Sequence, residues 1–442
     1  MLIGKILYKI YGEDYVQKKR YLFDNKQILS NFWNERRIHR GQKIRVVFLI
    51  QYMPCWNKTR LVYECIAHDE RFNAYLVCLP SQIIGHKVST NPKENDNFFY
   101  MKNNGYADVI NAIQEDGSLM DLQKLNPDYV FYSRPYHDYL PFQYYSNIVS
   151  KYAKVCFIPY AIALSKESQE FALNKDFFSN VAYYFSESKG LAKSAKTIAR
   201  RQSPIVQWLG WKKIVCCGVP SLTEMFKIGE QECEEDAEVT FKIVWTPRWA
   251  NGGQLGGSNF LKFYRDFLQY AKVHPDVKFV FRPHPFTFSN FVSTGEMTEV
   301  EVEQYRRACA SMENVTLDEA KDYALTFWHS SVLVSDFSSI MPEYFITGKP
   351  LIYCPSVTGV TLTEDMKKLL EGCYIADTQQ DVFRYLEALQ QGIDPLKDKR
   401  QMIAKNVFSK HLEDSDVCIM NELLKGKGFW WNMKMRLKLK NH

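Results

Sequence analysis

Short apolar runs rich in β-branched and aromatic residues recur along the chain, each ending at a proline or polar loop and leading into a helix-length segment. The first, RVVFLI at 45–50, passes through QYMPCWN into LVYECIAHDERF, which reads as a strand, a loop and a helix. AYLVCLP (74–80), DYVFYSRP (128–135), KVCFIPY (154–160), VAYYFSES (181–188) and KIVCCGVP (213–220) repeat the form. Uninterrupted apolar runs suit strands buried on both faces, and their alternation with helices predicts a parallel, doubly wound sheet.

Residues 228–238, IGEQECEEDAE, are acidic and lack apolar periodicity, so they predict a domain linker. A second series follows: FKIVWTPRW (241–249), KFVFRPHP (278–285), VTL (315–317), SVLVSDFSS (331–339), KPLIYCP (349–355) and CYIAD (373–377). The expected class is α/β, with two facing Rossmann-like domains at 43–227 and 239–415. A basic extension at 1–42 and a basic aromatic tail at 416–442 flank them. In open parallel sheets ligands bind beyond the carboxyl ends of the strands, so the residues just after each strand are the candidates for chemistry.

The chain has 442 residues, enough for two or three domains each with its own core. Its 46% hydrophobic and 24% charged composition is that of an ordinary globular protein, apart from an excess of Phe, Tyr and Trp. The net charge of +6 hides a division: residues 1–45 hold 11 Lys/Arg against 4 Asp/Glu, and residues 425–442 hold six basic residues and no acid. The centre is therefore mildly acidic, which argues against nucleic acid as a partner, and the basic, aromatic ends fit an anionic membrane surface. Eleven cysteines without a CxxC pair read as reduced thiols, neither a disulfide framework nor a zinc site. The start, MLIGKILYKIYGEDY, is broken by Lys5 and Lys9 and does not read as a secretory signal, and no window suits a spanning helix.

SVLVSDFSSIMPEYFITGKPLIY, 331–353, is the most informative segment. A strand ends at Asp336, Ser338 and Ser339 open a helix, Glu343 lies inside it, and Gly348-Lys349-Pro350 stop it. Two readings stand: the serines and the helix start cradle a phosphate, or Ser338 is an N-cap and Asp336 caps a turn. FRPHP places Arg282 and His284 on a loop stiffened by Pro283 and Pro285, where a guanidinium fork and an imidazole suit phosphate oxygens. WTPRW sets Thr246 and Arg248 after another strand, ahead of Gly252, Gly253, Gly256 and Gly257, which let backbone approach a ligand or a lid move. Neither GxGxxG nor a Walker GxxxxGK[ST] occurs, which counts against dinucleotide enzymes and ATPases. His137 and Asp138, in SRPYHDY, follow a first-domain strand and are read either as a catalytic pair or as a hydrophilic loop. In the tail, Trp430 and Trp431 precede Lys434, Arg436, Lys438 and Lys440, a set read either as membrane contacts or as a solvated basic end.

WTPRW, FRPHP and SDFSSIMPEYFITGKPLIY, in that order, together with DYVFYSRPY, VCFIPYAI and VCCGVPSL, make the chain resemble the CDP-glycerol glycerophosphotransferase family of teichoic acid primases and polymerases. The resemblance spans roughly 43–415. It implies a GT-B type fold with an acceptor-side first domain and a donor-binding second domain. It further implies transfer of glycerol phosphate, or a related polyol phosphate, from a CDP-activated donor to a hydroxyl of a membrane-linked cell-surface polymer, releasing CMP. Ser338 and Ser339 would then contact the donor pyrophosphate, Arg282 and His284 would stabilise its charge, Arg248 would lie near the phosphates, and Asp336 and Glu343 would contact the donor or order the loop. No required cofactor is expected, and dependence on a divalent cation is left open. The implied place is the inner face of a bacterial cell membrane, peripherally bound on the cytoplasmic side.

One departure counts. The family's Trp-His-Gly motif, whose His is thought to be the base, is replaced here by FIPYAIALS, with Tyr160 and Ala161. Two other readings therefore remain: a glycosyltransferase using a nucleotide sugar in surface (capsule-type) polysaccharide synthesis, and a non-catalytic nucleotide-binding scaffold.

Overall fold

A computed structural model describes residues 41–81, 89–202, 212–232, 240–251, 257–320, 323–356, 360–407 and 411–425. Residues 1–40 of the basic extension and the tail residues Trp430, Trp431, Lys434, Arg436, Lys438 and Lys440 lie outside the described residues, as do Gly252, Gly253 and Gly256. Contacts divide the chain into two compact units. The first comprises the chain through Tyr160, Glu170–Pro220 and the segment from Asp414, and the second comprises Ala161–Gln169 with Ser221–Glu413.

The first unit is built on β1 (Ile44–Ile50), β2 (Phe72–Cys78), β3 (Val109–Asn111), β4 (Tyr129–Tyr132), β5 (Lys154–Phe157), β6 (Val181–Ser186) and β7 (Lys213–Cys216). They pair in parallel in the order β3-β2-β1-β4-β5-β6-β7. Six of these strands match the apolar runs. β3 does not, because it is a three-residue edge strand, half-buried throughout, that lacks the apolar run of a strand covered on both faces.

The second unit holds β8 (Lys242–Thr246), β9 (Lys278–Phe281), β10 (Val315–Leu317), β11 (Val332–Ser335), β12 (Leu351–Tyr353) and β13 (Tyr374–Ile375). Their order is β10-β9-β8-β11-β12-β13, again parallel. Each sheet reverses direction of growth next to its first strand, between β1 and β4 and between β8 and β11. Those two points are where the loops on either side diverge and leave a crevice at the carboxyl edge.

The aromatic excess is largely core. In the second unit Trp245 packs on Phe267 with centroids 4.4 Å apart, and Phe260 stacks on both Phe281 and Phe291 at 5.5 Å. Such rings bury large apolar areas and gain further from offset stacking.

Two boundaries differ from the sequence expectation. The helix Pro220–Glu232 runs into the acidic stretch expected as a linker from 228. It is held there by Gly229, where a β-carbon would stand 2.2 Å from the Trp328 ring, so only glycine lets the helix lie this close. At the other end, the helix Ser415–Leu424 belongs to the first unit. Its Ile419, Met420 and Leu423 join the core beside Val62 and Ile66 of the helix Arg60–Ala67. The Tyr129 hydroxyl donates to the Leu423 carbonyl at 3.0 Å. Among the described residues, no helix is long and apolar enough to cross a membrane.

Candidate functional site

The carboxyl edge of the second sheet gathers the loops after β8, β9 and β11, and with them most of the residues singled out in the sequence. Thr246, the last residue of β8, donates through Oγ1 to Ser335 Oγ at 2.9 Å, joining the neighbouring ends of β8 and β11. Both are buried, so Thr246 fixes the spacing of the two loops and does not reach out from them.

Asp336, directly after β11, is 1% exposed. Its Oδ2 accepts the Arg248 N–H at 2.8 Å and the Asn259 N–H at 2.9 Å, and its Oδ1 accepts from Asn259 Nδ2 at 2.9 Å. Burial pushes its pKa up, against the pull of these hydrogen bonds and of Arg248. With both oxygens engaged by protein, Asp336 orders the Arg248 loop and the start of the helix Phe260–Val273.

The Arg248 loop closes on itself. Gly257 N–H donates to the Asn251 carbonyl at 3.0 Å, and Ser258 Oγ donates to the Arg248 carbonyl at 2.5 Å. Gly257 has φ +72°, and a β-carbon there would fall 1.7 Å from the Ser356 carbonyl oxygen. The Arg248 side chain, half-buried, donates from Nη1 to the Phe337 carbonyl at 2.9 Å, and desolvation pushes its pKa down. One Nη bond therefore orients the guanidinium, and among the described residues its other donors have no protein acceptor.

His284 sits after β9. Its Nδ1 accepts the Phe286 N–H at 3.2 Å, which assigns the neutral ring's proton to Nε2. The ring stacks on Trp249 at 5.7 Å and keeps an exposed flank. Desolvation by its neighbours, and then the Arg248 charge, push its pKa down to about 4. At neutral pH His284 is thus an uncharged Nε2–H donor within range of the Arg248 charge.

Ser338 and Ser339 are half-buried at the start of the short helix Ile340–Phe345. Ser339 occupies the N-cap position, yet its side chain makes no capping bond, and the Ser338 hydroxyl lies a long 3.5 Å from the Ile340 N–H. The capping explanation for these serines is accordingly weak. Glu343 is buried and accepts the Tyr323 hydroxyl.

Arg282 is placed differently from its expected role. Its Nη1 pairs with Asp318 Oδ2 at 2.8 Å, both side chains being 11% exposed, and its Nη2 donates to the Ala320 carbonyl at 2.6 Å. The Tyr323 ring packs against the guanidinium at 4.9 Å. Arg282 braces the ends of β9 and β10, so its main contacts are with protein. Asp318, Asn259 and Trp249 were missed in the sequence, since nothing in a short VTL strand, a GGSNF loop or a second Trp announces such partners.

His137 and Asp138 belong to the first unit, in a turn of 3₁₀ helix after β4. His137 Nε2 accepts the Ser146 N–H at 3.1 Å, and the ring stacks on Tyr145 at 4.3 Å. Burial pushes its pKa down, against Asp176 and Asp138. This nitrogen holds the helix start at Ser146, which counts against a catalytic role. Tyr160, in the FIPYAIALS stretch that replaces the Trp-His-Gly motif, is bonded to the Tyr136 hydroxyl at 3.1 Å, and burial raises its pKa, so it is not poised as a base. Among the described residues no group of three His, Cys, Asp or Glu side chains is arranged to hold a metal ion.

Residues 183–417, more than half of the chain, match the family described as CDP-glycerol:poly(glycerophosphate) glycerophosphotransferase. The chain belongs to this family. It is a CDP-glycerol glycerophosphotransferase-like transferase. No curated protein matches its sequence. Among solved structures, the wall teichoic acid polymerase TagF superposes with a TM-score of 0.56 at 14% identity, covering 96% of this chain and 98% of that one. UDP-GlcNAc 2-epimerase from Neisseria meningitidis, bound to UDP-GlcNAc, gives 0.55 at 14%, covering 87% and 100%. The S. aureus MnaA-UDP complex gives 0.53 at 10%, covering 86% and 96%. At these identities the likeness shows the fold, which is GT-B-like. The match begins within β6 and takes in the loops that carry Arg248, His284, Ser338 and Ser339 in this glycerophosphotransferase-like chain.

Proposed function

We propose that the chain transfers glycerol phosphate, or a related polyol phosphate, from a CDP-activated donor to a hydroxyl of a membrane-linked cell-surface polymer, releasing CMP. One observation carries the reading. A neutral His284 with its Nε2–H available stands beside a half-buried Arg248 at the carboxyl edge of the second sheet, with the Ser338 and Ser339 hydroxyls on the loop after β11. That set supplies one cationic fork, from Arg248, and neutral donors from His284 and the serines for the oxygens of a pyrophosphate.

In this mechanism Arg248 and the serine hydroxyls hold the pyrophosphate oxygens, and His284 donates from Nε2 to an oxygen that gains charge as the bond to the β-phosphorus breaks. The acceptor hydroxyl attacks that phosphorus, the phosphoanhydride bond breaks, and CMP leaves with the electron pair. The acceptor proton passes to solvent or to a released phosphate oxygen. Phosphoryl transfer of this kind is accelerated mainly by positioning and charge stabilisation. The basic segments at 1–42 and 425–442 would hold the protein on the inner face of a bacterial membrane, near its lipid-linked acceptor.

Thermal stabilisation by CMP, CDP-glycerol, CDP-ribitol, UDP-sugars and GDP-sugars tests the donor. At 100 times Kd a ligand adds about 2.7 kcal/mol. Cytidine ligands alone should stabilise the protein, and His284→Ala should remove the effect. Stabilisation by UDP- or GDP-sugars instead would replace this reading with a nucleotide-sugar glycosyltransferase.

A further inference from the structure

The first sheet has its own crevice point between β1 and β4, and the residues that follow those strands there are Gln51 and Tyr52 on one side and Arg134 on the other. Arg134 is half-buried, and its guanidinium lies against three tyrosine rings: Tyr139 at 4.1 Å, Tyr52 at 5.1 Å and Tyr136 at 5.9 Å. Among the described residues, no carboxylate, carbonyl or hydroxyl takes any of its side-chain N–H groups. This contrasts with Arg282 and Arg400, whose guanidinium groups are each tied to a carboxylate and a backbone carbonyl.

A second unsatisfied group adjoins it. Gln51 is 4% exposed; its Oε1 accepts the Arg134 backbone N–H at 3.3 Å, and its Nε2, buried, has no partner. A buried amide without a hydrogen bond is destabilising. A guanidinium withdrawn from water with no counter-charge is likewise unfavourable, and tyrosine faces offset only part of that. Both deficits vanish if an anion with acceptor oxygens enters at this point. The rings hold the cation and leave its fork of donors open, the geometry that suits bidentate phosphate. Tyr136 and the exposed Phe171, with ring centroids 5.2 Å apart, extend the patch with apolar faces of the kind that pack against a sugar ring.

We propose that Arg134, Gln51, Tyr52 and Tyr139 form a binding subsite of the first unit for a phosphorylated sugar, the phosphate on the Arg134 fork and the ring on the tyrosines. Resting on the function proposed above, this is the acceptor's docking point, and it makes the required acceptor one that already carries a phosphate next to a sugar.

Titration calorimetry of the full chain with α-D-glucose 1-phosphate, glucose and inorganic phosphate tests the site, with CDP-glycerol titrated into the same preparations. Glucose 1-phosphate should bind at least tenfold tighter than glucose or phosphate alone, unaffected by saturating CDP-glycerol. Arg134→Gln should weaken it at least tenfold, Tyr139→Leu should weaken it severalfold, and both should keep the wild-type affinity for CDP-glycerol, which also shows that they fold. Equal affinity in Arg134→Gln and wild type, or competition between glucose 1-phosphate and CDP-glycerol, would overturn the subsite. If CDP-glycerol fails to bind any of the proteins while glucose 1-phosphate behaves as stated, the donor assignment falls and the subsite stands.

Discussion

Asp336 holds Asn259 by two hydrogen bonds, one from the backbone N–H to Oδ2 and one from the side-chain amide to Oδ1, across 77 residues of sequence. The same carboxylate takes the Arg248 N–H, so one buried side chain sets both the loop after β8 and the helix that follows it.

Asp336→Asn keeps the shape but turns one oxygen into an N–H₂ that faces donors. The variant should lose about 1–3 kcal/mol of stability, the penalty for leaving buried donors unpaired. Its affinity for CDP-glycerol should fall as well, because Arg248 loses its anchor. Urea unfolding and donor titration together check this; an unchanged unfolding midpoint would contradict the bracing role.

Ser339→Ala should behave in the opposite way. A true N-cap serine replaced by alanine costs about 1 kcal/mol. Since Ser339 makes no capping bond, its removal should leave the melting temperature within about a degree while CDP-glycerol affinity drops roughly tenfold, the loss expected for about 1.4 kcal/mol of hydrogen bonding to a charged group. A lowered melting temperature with normal donor affinity would return the residue to a capping role.

His284 gives the fold a dependence on pH. Its pKa, pushed down to about 4, lies below the ordinary value of about 6.5 in the unfolded chain, so between those values the unfolded chain binds the proton and the native state does not. Stability should therefore fall as pH falls from about 6.5 towards 4, and His284→Gln should flatten part of that slope. Unfolding midpoints measured at half-unit intervals for both proteins give the comparison; identical slopes would show that His284 titrates normally.

Arg282→Ala should be the most destabilising of these changes, because it takes the cation from the nine-tenths shielded Asp318 carboxylate and leaves it only the Ala320 N–H and the Thr326 hydroxyl. Breaking such a pair costs about 3–5 kcal/mol when fully buried, and somewhat less here at 11% exposure. If Arg282 acted on the donor alone, the variant would melt normally and only turnover would suffer; calorimetric scanning separates the two.

Much of this was legible in the sequence, for an identifiable reason. Strands buried on both faces must be apolar throughout, so β1 from Val46, β4 and β11 stand out as runs, whereas β3, half-exposed at an edge, does not. The loops after β8, β9 and β11 could be singled out because parallel sheets put chemistry at the carboxyl ends of their strands. What each side chain does there could not. Arg282 and Asp318 are 36 residues apart, and Arg248 and Asp336 are 88 apart, so a residue that reads as a ligand for phosphate can turn out to be held by another loop. The extent of the helix Pro220–Glu232 was hidden for the same reason, since the acidic run conceals a glycine packed on Trp328, a residue 99 positions later.

The helix Ser415–Leu424, lodged in the core of the first unit, reverses the usual order of maturation on the ribosome. Domains commonly fold in the order in which they are made. Here the second unit is complete once Glu413 has emerged, while the helix Arg60–Ala67 still lacks the cover that Ile419, Met420 and Leu423 provide. The unit begun first is the later of the two to close, and until residues 415–424 arrive it presents an apolar face of its own to whatever binds nascent chains.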